Sequence, residues 1–231
     1  MTDSSKDEFI EITRIKEEFI ANASHELKTP IASVRLAAES ALTSLERDDG
    51  MTKSFLEQIL RDSDRMNELI SDLLDLSAME SSDVFMEAFD LHDVLANEIS
   101  YLSKQNKKRI SYKKKKVEIN ANFDDISLAV KNLIKNALKY SPPEENILIQ
   151  IEENDKSVRC SFQDFGSGIS ESDQEKIFER FYRVDKGRSR KVGGTGLGLA
   201  IVKHALDRNN AVIEIVSELD HGSNFTIVFE K

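Results

Sequence analysis

The stretch Phe19-Ile-Ala-Asn-Ala-Ser-His-Glu-Leu-Lys-Thr-Pro30 places a histidine, an acid and a threonine within five consecutive positions. At about 100° per residue, the apolar positions around it fall on one helical stripe: Ile20, Leu27, Ile31, Val34, Ala38, Ala41 and Leu45. His25 lies roughly 150° from the centre of that stripe, with Thr29 on the same outward face and Glu26 beside it. A histidine that packs in a core would lie on the apolar face. The pattern therefore predicts that a partner has to reach His25 from outside.

The residues on either side of this stretch predict two long helices. The first runs from about Phe9 to Leu45 and contains Pro30, which should bend it. A turn at Asp48-Asp49-Gly50 follows, and Thr52 is expected to cap the second helix. Apolar residues recur there at near-heptad spacing: Phe55, Ile59, Met66, Leu69, Leu73 and Leu76. Because two helices alone bury too little surface, we predict a homodimer that forms a four-helix bundle.

The heptad pattern stops near Ser81, and the sequence beyond it predicts mixed α and β structure. We place the domain boundary there, with residues 1–81 helical (1–18 an incoming helical segment) and 82–231 a second domain. Strands are expected at 85–89, as a pair within 109–120, and at 147–153, 157–164, 212–217 and 224–229. Helices are expected at 91–103 (capped by Asp90), 124–140, 171–178 and 197–208. The fold class is α+β, with one sheet covered by helices on one face.

Composition narrows the range of partners. The 231 residues carry 32 basic and 42 acidic side chains, a net charge of −10, so general affinity for nucleic acid or an anionic membrane is not expected. The four lysines from Lys113 to Lys116 indicate a solvated strand edge or, less often, a docking site for an acidic partner. The single cysteine, Cys160, excludes an internal disulfide and suggests a reducing compartment. No apolar run is long enough to span a bilayer, so we expect a soluble, cytoplasmic chain.

Three segments of the second domain have the composition of a nucleotide site. Asn132, Asn136 and Lys139 cluster on one side of the helix at 124–140, although such a cluster is more often a solvated face. Asp164-Phe-Gly-Ser-Gly168 places a carboxylate at the end of an apolar strand, where it could accept a hydrogen bond from the adenine amine or simply cap a turn. Gly193-Gly-Thr-Gly-Leu-Gly198 opens a helix, as phosphate-binding loops do, and the basic segment 178–191 before it could close as a flap.

These motifs together resemble a bacterial sensor histidine kinase. Ser24-His-Glu-Leu-Lys-Thr-Pro30 resembles the H box of that family and Asn132-Leu-Ile-Lys-Asn-Ala-Leu-Lys-Tyr140 its N box. Asp164-Phe-Gly-Ser-Gly168 and Gly194-Thr-Gly-Leu-Gly-Leu199 resemble the two glycine boxes, and Phe178-Glu-Arg-Phe-Tyr-Arg183 the F box between them. The five motifs stand in the order of the family and cover nearly the whole chain.

The resemblance implies a dimerisation and phosphotransfer bundle followed by an ATP-binding α/β sandwich of the gyrase and Hsp90 type. His25 would take the γ-phosphate of Mg·ATP, helped by Glu26, and pass it to an aspartate of a response regulator, while Thr29 would serve dephosphorylation of that regulator. In the nucleotide site that the resemblance implies, Asn136 would be the Mg²⁺ ligand, supported by Asn132. Asp164 would bind adenine, Lys139 and Tyr140 would contact the phosphates, and Arg183 would contact the γ-phosphate. The nucleotide would be lined by Gly166, Gly168, Gly194, Thr195, Gly196, Leu197 and Gly198.

Several functions remain open at this point. A net phosphatase of the same fold would bind nucleotide but label poorly, and an ATPase of the gyrase or Hsp90 type would need no exposed histidine. A dimeric scaffold would need none of the nucleotide motifs. The parent protein is expected to be membrane-anchored through a sensor region absent from this chain. Two departures from the family pattern, a short stretch between Ile110 and Asp124 and the turn Arg208-Asn-Asn210, lie away from the motifs.

Overall fold

A computed structural model describes residues 3–47, 50–184 and 194–231. The turn predicted at Asp48-Asp49-Gly50 and the flap predicted at 178–191 lie partly outside the described residues, as does Gly193. Contacts divide the chain into two units, one of residues 3–71 with 194 and 195, and one of residues 72–184 with 196–231. Each unit is described by itself below.

The first unit contains the helix α1 (Asp3–Arg47) and most of the helix α2 (Thr52–Ser81), whose last residues from Asp72 belong to the second unit. The predicted hairpin of helices is confirmed, and α1 continues through Pro30, which has no N–H to donate to the carbonyl of Glu26. Thr52 does not cap α2 as predicted. It is the first helical residue, and its hydroxyl donates to Ser44 Oγ at 3.0 Å.

The predicted apolar stripe of α1 is only partly buried within one chain. Among the α1 side chains that the structure describes, the buried ones are those of Pro30 and of three small residues, Ala37, Ala41 and Ser44. Ile20, Ile31 and Leu45 remain more than half exposed. The stripe was predicted for a bundle of two chains, so the exposure of these residues in one chain does not contradict it, and the stripe stays a prediction.

The second unit alternates short strands and helices. After α2 come β1 (Glu87–Asp90), α3 (Leu91–Ser100), α4 (Lys104–Arg109), β2 (Ile110–Tyr112), β3 (Glu118–Ala121) and α5 (Phe123–Tyr140). These are followed by β4 (Ile147–Glu153), β5 (Ser157–Gln163), α6 (Glu171–Gln174), a 3₁₀ turn (Lys176–Phe178), α7 (Gly198–Arg208), β6 (Ala211–Glu218) and β7 (Gly222–Glu230). Asp90 caps α3 as predicted, since its Oδ1 accepts the N–H of His92 at 3.0 Å.

Five strands form one mixed sheet in the order β2-β4-β5-β7-β6, in which only β2 and β4 run parallel. The strand pair predicted within 109–120 is wrong. β2 pairs with β4, whereas β3 pairs with β1 in a separate two-stranded sheet, because the short run from Lys113 to Val117 leads away from β2. The helix predicted at 171–178 is divided into α6 and the 3₁₀ turn, and α4 was not predicted.

Alternation along the central strands separates a buried face of the sheet from an open one. Buried side chains on β4 and β5 are Ile147, Ile149, Ile151, Val158, Cys160 and Phe162. The pKa of the Cys160 thiol is raised by this burial, which makes it an inert core residue. On the open face Arg159 of β5 forms an ion pair with Glu214 of β6. The helices α5 and α7 pack against each other and contact the sheet.

Candidate functional site

The histidine singled out by helical geometry is exposed on α1. Thr29 is also exposed one turn along, and its hydroxyl donates to the backbone carbonyl of His25 at 3.3 Å. Glu26 is half-buried instead, and its Oε2 accepts a hydrogen bond from Arg65 Nη2 of α2 at 3.1 Å. The first unit thus presents an accessible imidazole beside a carboxylate whose orientation is set across the helix pair.

Asp164 follows the last residue of β5 and is buried, with 5% of its surface exposed. Its Oδ1 accepts two backbone N–H bonds, from Gly166 at 2.9 Å and from Ser223 at 3.2 Å. Burial raises the pKa of this carboxyl, and the hydrogen bonds from Gly166 and Ser223 partly oppose that rise. Two backbone donors on Oδ1 fix the plane of the carboxylate. A fixed plane is what a carboxylate needs if it is to accept one specific hydrogen bond from a ligand.

Glycine is required where the loop after Asp164 touches neighbouring backbone. A Cβ on Gly166 would lie 2.5 Å from the carbonyl oxygen of Tyr140, at the end of α5. Gly168 has φ +66°, and its Cβ would lie 1.8 Å from the carbonyl oxygen of Glu218. The first glycine motif is therefore pressed between α5 and the β6–β7 turn, where no side chain fits.

The second glycine motif meets the middle of α5. A Cβ on Gly198 would lie 3.1 Å from Asn132 Oδ1, while Asn132 Nδ2 donates to the carbonyl of Leu128 at 2.9 Å. The amide oxygen of Asn132 therefore faces the N-terminus of α7. Asn136 lies one turn further along α5 and is half-buried. Because α7 begins at Gly198, free N–H groups of its first turn lie beside this face of α5.

The C-terminal end of α5 carries Lys139 and Tyr140. The Lys139 ammonium lies 5.5 Å from the centroid of the Tyr140 ring, which is 43% exposed. Arg109 holds the turn that follows by donating to four backbone carbonyls, those of Leu138, Ser141, Pro142 and Glu145. Ser141 Oγ in turn accepts the N–H of Phe165 at 3.0 Å. These bonds fix the end of α5 against the loop that carries Asp164.

Residues 181 and 182 are held by hydrogen bonds to two parts of the chain, the second glycine motif and α6. Phe181 has a positive φ of 65° and donates its N–H to the carbonyl of Gly196 at 2.8 Å, so strained backbone contacts the second glycine motif directly. The Tyr182 hydroxyl donates to Asp173 Oδ1 at 2.7 Å. Arg183, the predicted γ-phosphate ligand, follows at once and is half-buried.

The structure brings most of the predicted nucleotide residues of the second unit around one region. Contacts link Asp164, Gly166 and Tyr140 at one end of α5, and Asn132, Gly198 and Leu197 lie at its middle. Gly194 and Thr195 group with the first unit, in which Gly194 has φ +112° and Thr195 is buried. His25, Glu26 and Thr29 lie on α1.

Sequence reasoning missed three residues that support the site. Arg65 holds Glu26 but lies 39 positions away, and no local pattern marks it. Ser223 and Arg109 act through backbone groups, which residue types do not reveal. The glycine in His221-Gly-Ser223 could have indicated that this turn lies close to other backbone. Gly222 has φ +85° and packs against the carbonyl of Asp164.

The donor set fits a magnesium nucleotide in its chemistry. Amide oxygens of Asn132 and Asn136 are hard ligands, and Mg²⁺ is commonly held by a few protein oxygens together with substrate phosphates and water. Within the described ranges no cluster of three or more histidine, cysteine or acidic side chains could hold a metal by itself. Phosphate oxygens would therefore have to complete the coordination. None of the helices described is long and apolar enough to cross a membrane.

Two models of known protein families match parts of this chain. Residues 15–82 match the His Kinase A (phospho-acceptor) domain, and residues 121–231 match the histidine kinase-, DNA gyrase B- and HSP90-like ATPase. The chain is 34% identical to the sensor-like histidine kinase SenX3 of Mycolicibacterium smegmatis over 97% of its own length and 59% of that protein. It is 35% identical to the phosphate regulon sensor protein PhoR of Pseudomonas aeruginosa, over 95% and 51% respectively. The chain thus spans little more than half the length of these relatives.

Solved structures with the same fold include histidine kinases. The histidine kinase ThkA, solved in complex with the response regulator protein TrrA, gives a TM-score of 0.74 at 20% identity and covers all of this chain and 67% of ThkA. The Acinetobacter baumannii histidine kinase AdeS gives 0.66 at 22% identity, over 89% of this chain and 97% of AdeS. The α+β architecture with a helical hairpin and an ATPase-type sheet domain is that of these kinases.

Proposed function

Because this chain belongs to the bacterial sensor histidine kinases, we propose that it transfers the γ-phosphate of ATP to His25 and then to an aspartate of a response regulator. The observation that carries this proposal is the exposed imidazole of His25 in a chain that also holds the buried carboxylate of Asp164 among glycine motifs. An ATPase of the gyrase or Hsp90 type has no need for the first of these features.

In the proposed reaction the unprotonated ring nitrogen of His25 forms a bond to the γ-phosphorus, the bond to the bridging β,γ-oxygen breaks, and ADP leaves. Glu26 accepts a hydrogen bond or the proton from the other ring nitrogen and so stabilises the reacting tautomer. Its ion pair with Arg65 holds one carboxylate oxygen, Oε2, which restricts the rotamers of Glu26. The phosphoryl group then passes from the imidazole to the regulator carboxylate.

The ATP-binding unit supplies position and charge. Asp164 accepts a hydrogen bond from the exocyclic amine of adenine, and the N-terminus of α7 with Lys139 and Arg183 receives the phosphates. Asn136 and Asn132 offer oxygens for Mg²⁺, which when bound neutralises phosphate charge during transfer. Phosphoryl transfer needs little covalent chemistry from the protein, so these positioning groups suffice.

The test is incorporation of label from γ-labelled ATP. Wild-type protein should form an acid-labile, base-stable phosphoryl bond, as a phosphorus–nitrogen linkage is, and His25→Gln should abolish it. His221→Gln is the matched control, because His221 is an exposed histidine in the β6–β7 turn of the ATP-binding unit. Labelling that persists in His25→Gln would refute the site, and ATP turnover without phosphohistidine would favour the ATPase alternative.

We also propose that the kinase is a homodimer. Large apolar side chains on α1 and α2 remain 45–64% exposed in the single chain: Ile20, Ile31, Leu42, Leu45, Leu56, Leu60, Ile70 and Leu74. Packing these faces in a four-helix bundle would remove them from water. Mixing His25→Gln with an Asn136 variant tests how the protomers cooperate: labelling of the mixture indicates transfer between protomers, and its absence indicates transfer within one.

Dephosphorylation of the regulator by the same bundle is a second proposed activity. Thr29 supports it, because its exposed side chain lies one turn from His25 on the same face and could orient a water molecule towards a regulator phosphate. A membrane anchor and a sensor region are a separate proposal, supported by the similarity to sensor kinases of which this chain covers little more than half.

A further inference from the structure

The last turn of α2 is bound by one arginine from the far end of α7. Arg208 Nη1 donates to the backbone carbonyls of Met79 and of Ser82, the latter at 3.2 Å, and Nη2 donates to Ser82 Oγ at 3.1 Å. Its Nε donates to Asp125 Oδ2, in the first turn of α5, at 2.9 Å. A single guanidinium therefore connects the ends of α2, α5 and α7.

This contact, here called the Arg208 clamp (Arg208, Asp125, Met79 and Ser82), is well buried. The side chains of Arg208 and Asp125 are only 13% and 6% exposed. Asp125 Oδ2 accepts a further hydrogen bond from Asn209 Nδ2 at 3.0 Å. The carbonyl of Met79 is among the last four of α2, which have no partner within the helix and carry its negative dipole end. A cation bonded there is favourable, and removing one partner of a buried ion pair is costly.

A second, more exposed contact acts on the same turn. Arg180 Nη2 lies 2.7 Å from Glu80 Oε1, and the next residue, Phe181, bonds the backbone of Gly196. This ion pair is about a third to a half exposed, so it contributes less than the Arg208 clamp.

The helices joined by the clamp also form the nucleotide region. α7 ends at Arg208 and begins at Gly198, beside Asn132, and α5 carries Asp125 in its first turn and Asn132 near its middle. A helix of eleven residues spans about 16 Å without an internal hinge. The position of the α2 end is therefore transmitted through two rigid elements to the residues that line the nucleotide region.

We propose that Arg208 is a positioning residue for phosphoryl transfer, a role that rests on the proposed function. The clamp makes the end of α2 part of the ATP-binding unit, so that the nucleotide region has a fixed orientation on the helix. Without it, the unit would be held to α2 by the more exposed Arg180–Glu80 pair and by residues 82–86, which form neither helix nor strand. Transfer of a phosphoryl group is sensitive to misplacement of about 1 Å, so loss of orientation lowers the rate of transfer without affecting nucleotide binding.

The test compares Arg208→Gln with wild type in the full chain. We expect kcat for His25 labelling to fall about five- to tenfold, with KM for ATP and Kd for ADP unchanged, and amide exchange of residues 73–82 to accelerate. Arg208→Lys keeps the charge but loses the forked geometry and should give an intermediate rate. Arg159→Gln is the matched control, because it removes an arginine–glutamate pair from the open face of the sheet and should leave kcat and exchange unchanged.

A charge swap separates positioning from a loss of fold. Asp125, Met79 and Ser82 line the same groove, so an arginine at position 125 would start in the groove that holds those carbonyls. Asp125→Arg combined with Arg208→Asp should therefore restore most of the rate and of the exchange protection. A kcat that is unchanged or increased in Arg208→Gln would overturn the proposal, as would a weakened Kd for ADP or failure of the swap in a folded protein. If wild type itself forms no phosphohistidine, the proposed function fails, and the exchange and ADP measurements still decide whether the clamp exists.

Discussion

Replacing Asp164 by asparagine tests the adenine contact with the smallest change of shape. In the structure Oδ1 accepts the N–H groups of Gly166 and Ser223, and an asparagine can keep both only by placing its oxygen there. Its NH₂ group then takes the place of Oδ2 and faces the adenine amine, donor against donor. In the flipped orientation the NH₂ group faces the two backbone donors instead.

Either orientation loses at least one hydrogen bond to a charged acceptor in a buried setting, which is worth about 1.5–3 kcal/mol. We therefore expect Kd for ATP to increase about 10- to 150-fold in Asp164→Asn. The loss for GTP should be smaller, because an amide NH₂ can donate to the carbonyl of guanine, whereas a carboxylate repels it.

The assay is calorimetric titration with ATP and GTP, with circular dichroism to confirm the fold and Asp155→Asn, an exposed turn residue, as the control. The pH dependence gives a second readout. Because burial raises the pKa of Asp164, the wild-type carboxylate protonates at higher pH than an exposed aspartate, and affinity should fall as pH decreases towards that pKa. The asparagine variant should lack this fall. A Kd for ATP within twofold of wild type in a folded variant would refute the assignment.

Two further substitutions test separate parts of the chain. Thr29→Ala should leave the rate of His25 labelling unchanged and slow dephosphorylation of the regulator, measured with purified phosphoregulator; an equal fall in both rates would show that Thr29 acts in the kinase reaction. Gly168→Ala should destabilise the protein by more than about 3 kcal/mol in urea unfolding, because its Cβ would overlap the carbonyl of Glu218 at positive φ, whereas Gly50→Ala has open space and should cost about 1 kcal/mol. Similar losses at the two glycines would mean that the loop around Gly168 shifts freely.

Periodicity in the sequence predicted elements whose stability depends on burial of one face. The strands at 147–153 and 157–163 were found at almost the predicted residues, because alternate positions such as Ile149 and Phe162 face one core. The strand partners were harder to predict. β2 is only three residues long, and its parallel pairing with β4 depends on a connection that passes through β3 and α5.

The apolar stripe of α1 shows a different limit of sequence reasoning. Helical periodicity identifies every residue that avoids water, but it does not divide them between a partner within the chain and a partner from another chain. In the single chain Ala37 and Ala41 are buried, whereas Ile20 and Ile31 remain exposed. In the proposed homodimer, the helices of the partner chain would cover these residues.

The site was predictable to the extent that side chains themselves carry the chemistry. His25 is exposed on α1, Asp164 is buried after β5 and Asn132 lies on α5, as the sequence patterns predicted, while their roles stay predictions. The residues that contact these positions from elsewhere in the fold come from long sequence separations. Arg65 of α2 orients the Glu26 carboxylate of α1 by a hydrogen bond. In the sequence, Arg208 stands out only as part of an unusual turn, although it bonds Asp125 in the structure. Both are arginines that join one helix to another, and their partners are carboxylates or backbone carbonyls that the sequence does not mark.

The residues of the motifs and the two arginines should affect activity in different ways. In the proposed reaction His25 takes the phosphoryl group and Asp164 binds adenine, so substitution of His25 removes the reaction and substitution of Asp164 weakens nucleotide binding. Arg65 and Arg208 set orientation through hydrogen bonds made outside the nucleotide motifs, and such bonds can change strength without altering ligand affinity. Variation in labelling rate at constant nucleotide affinity should therefore trace to these two arginines before it traces to the motifs.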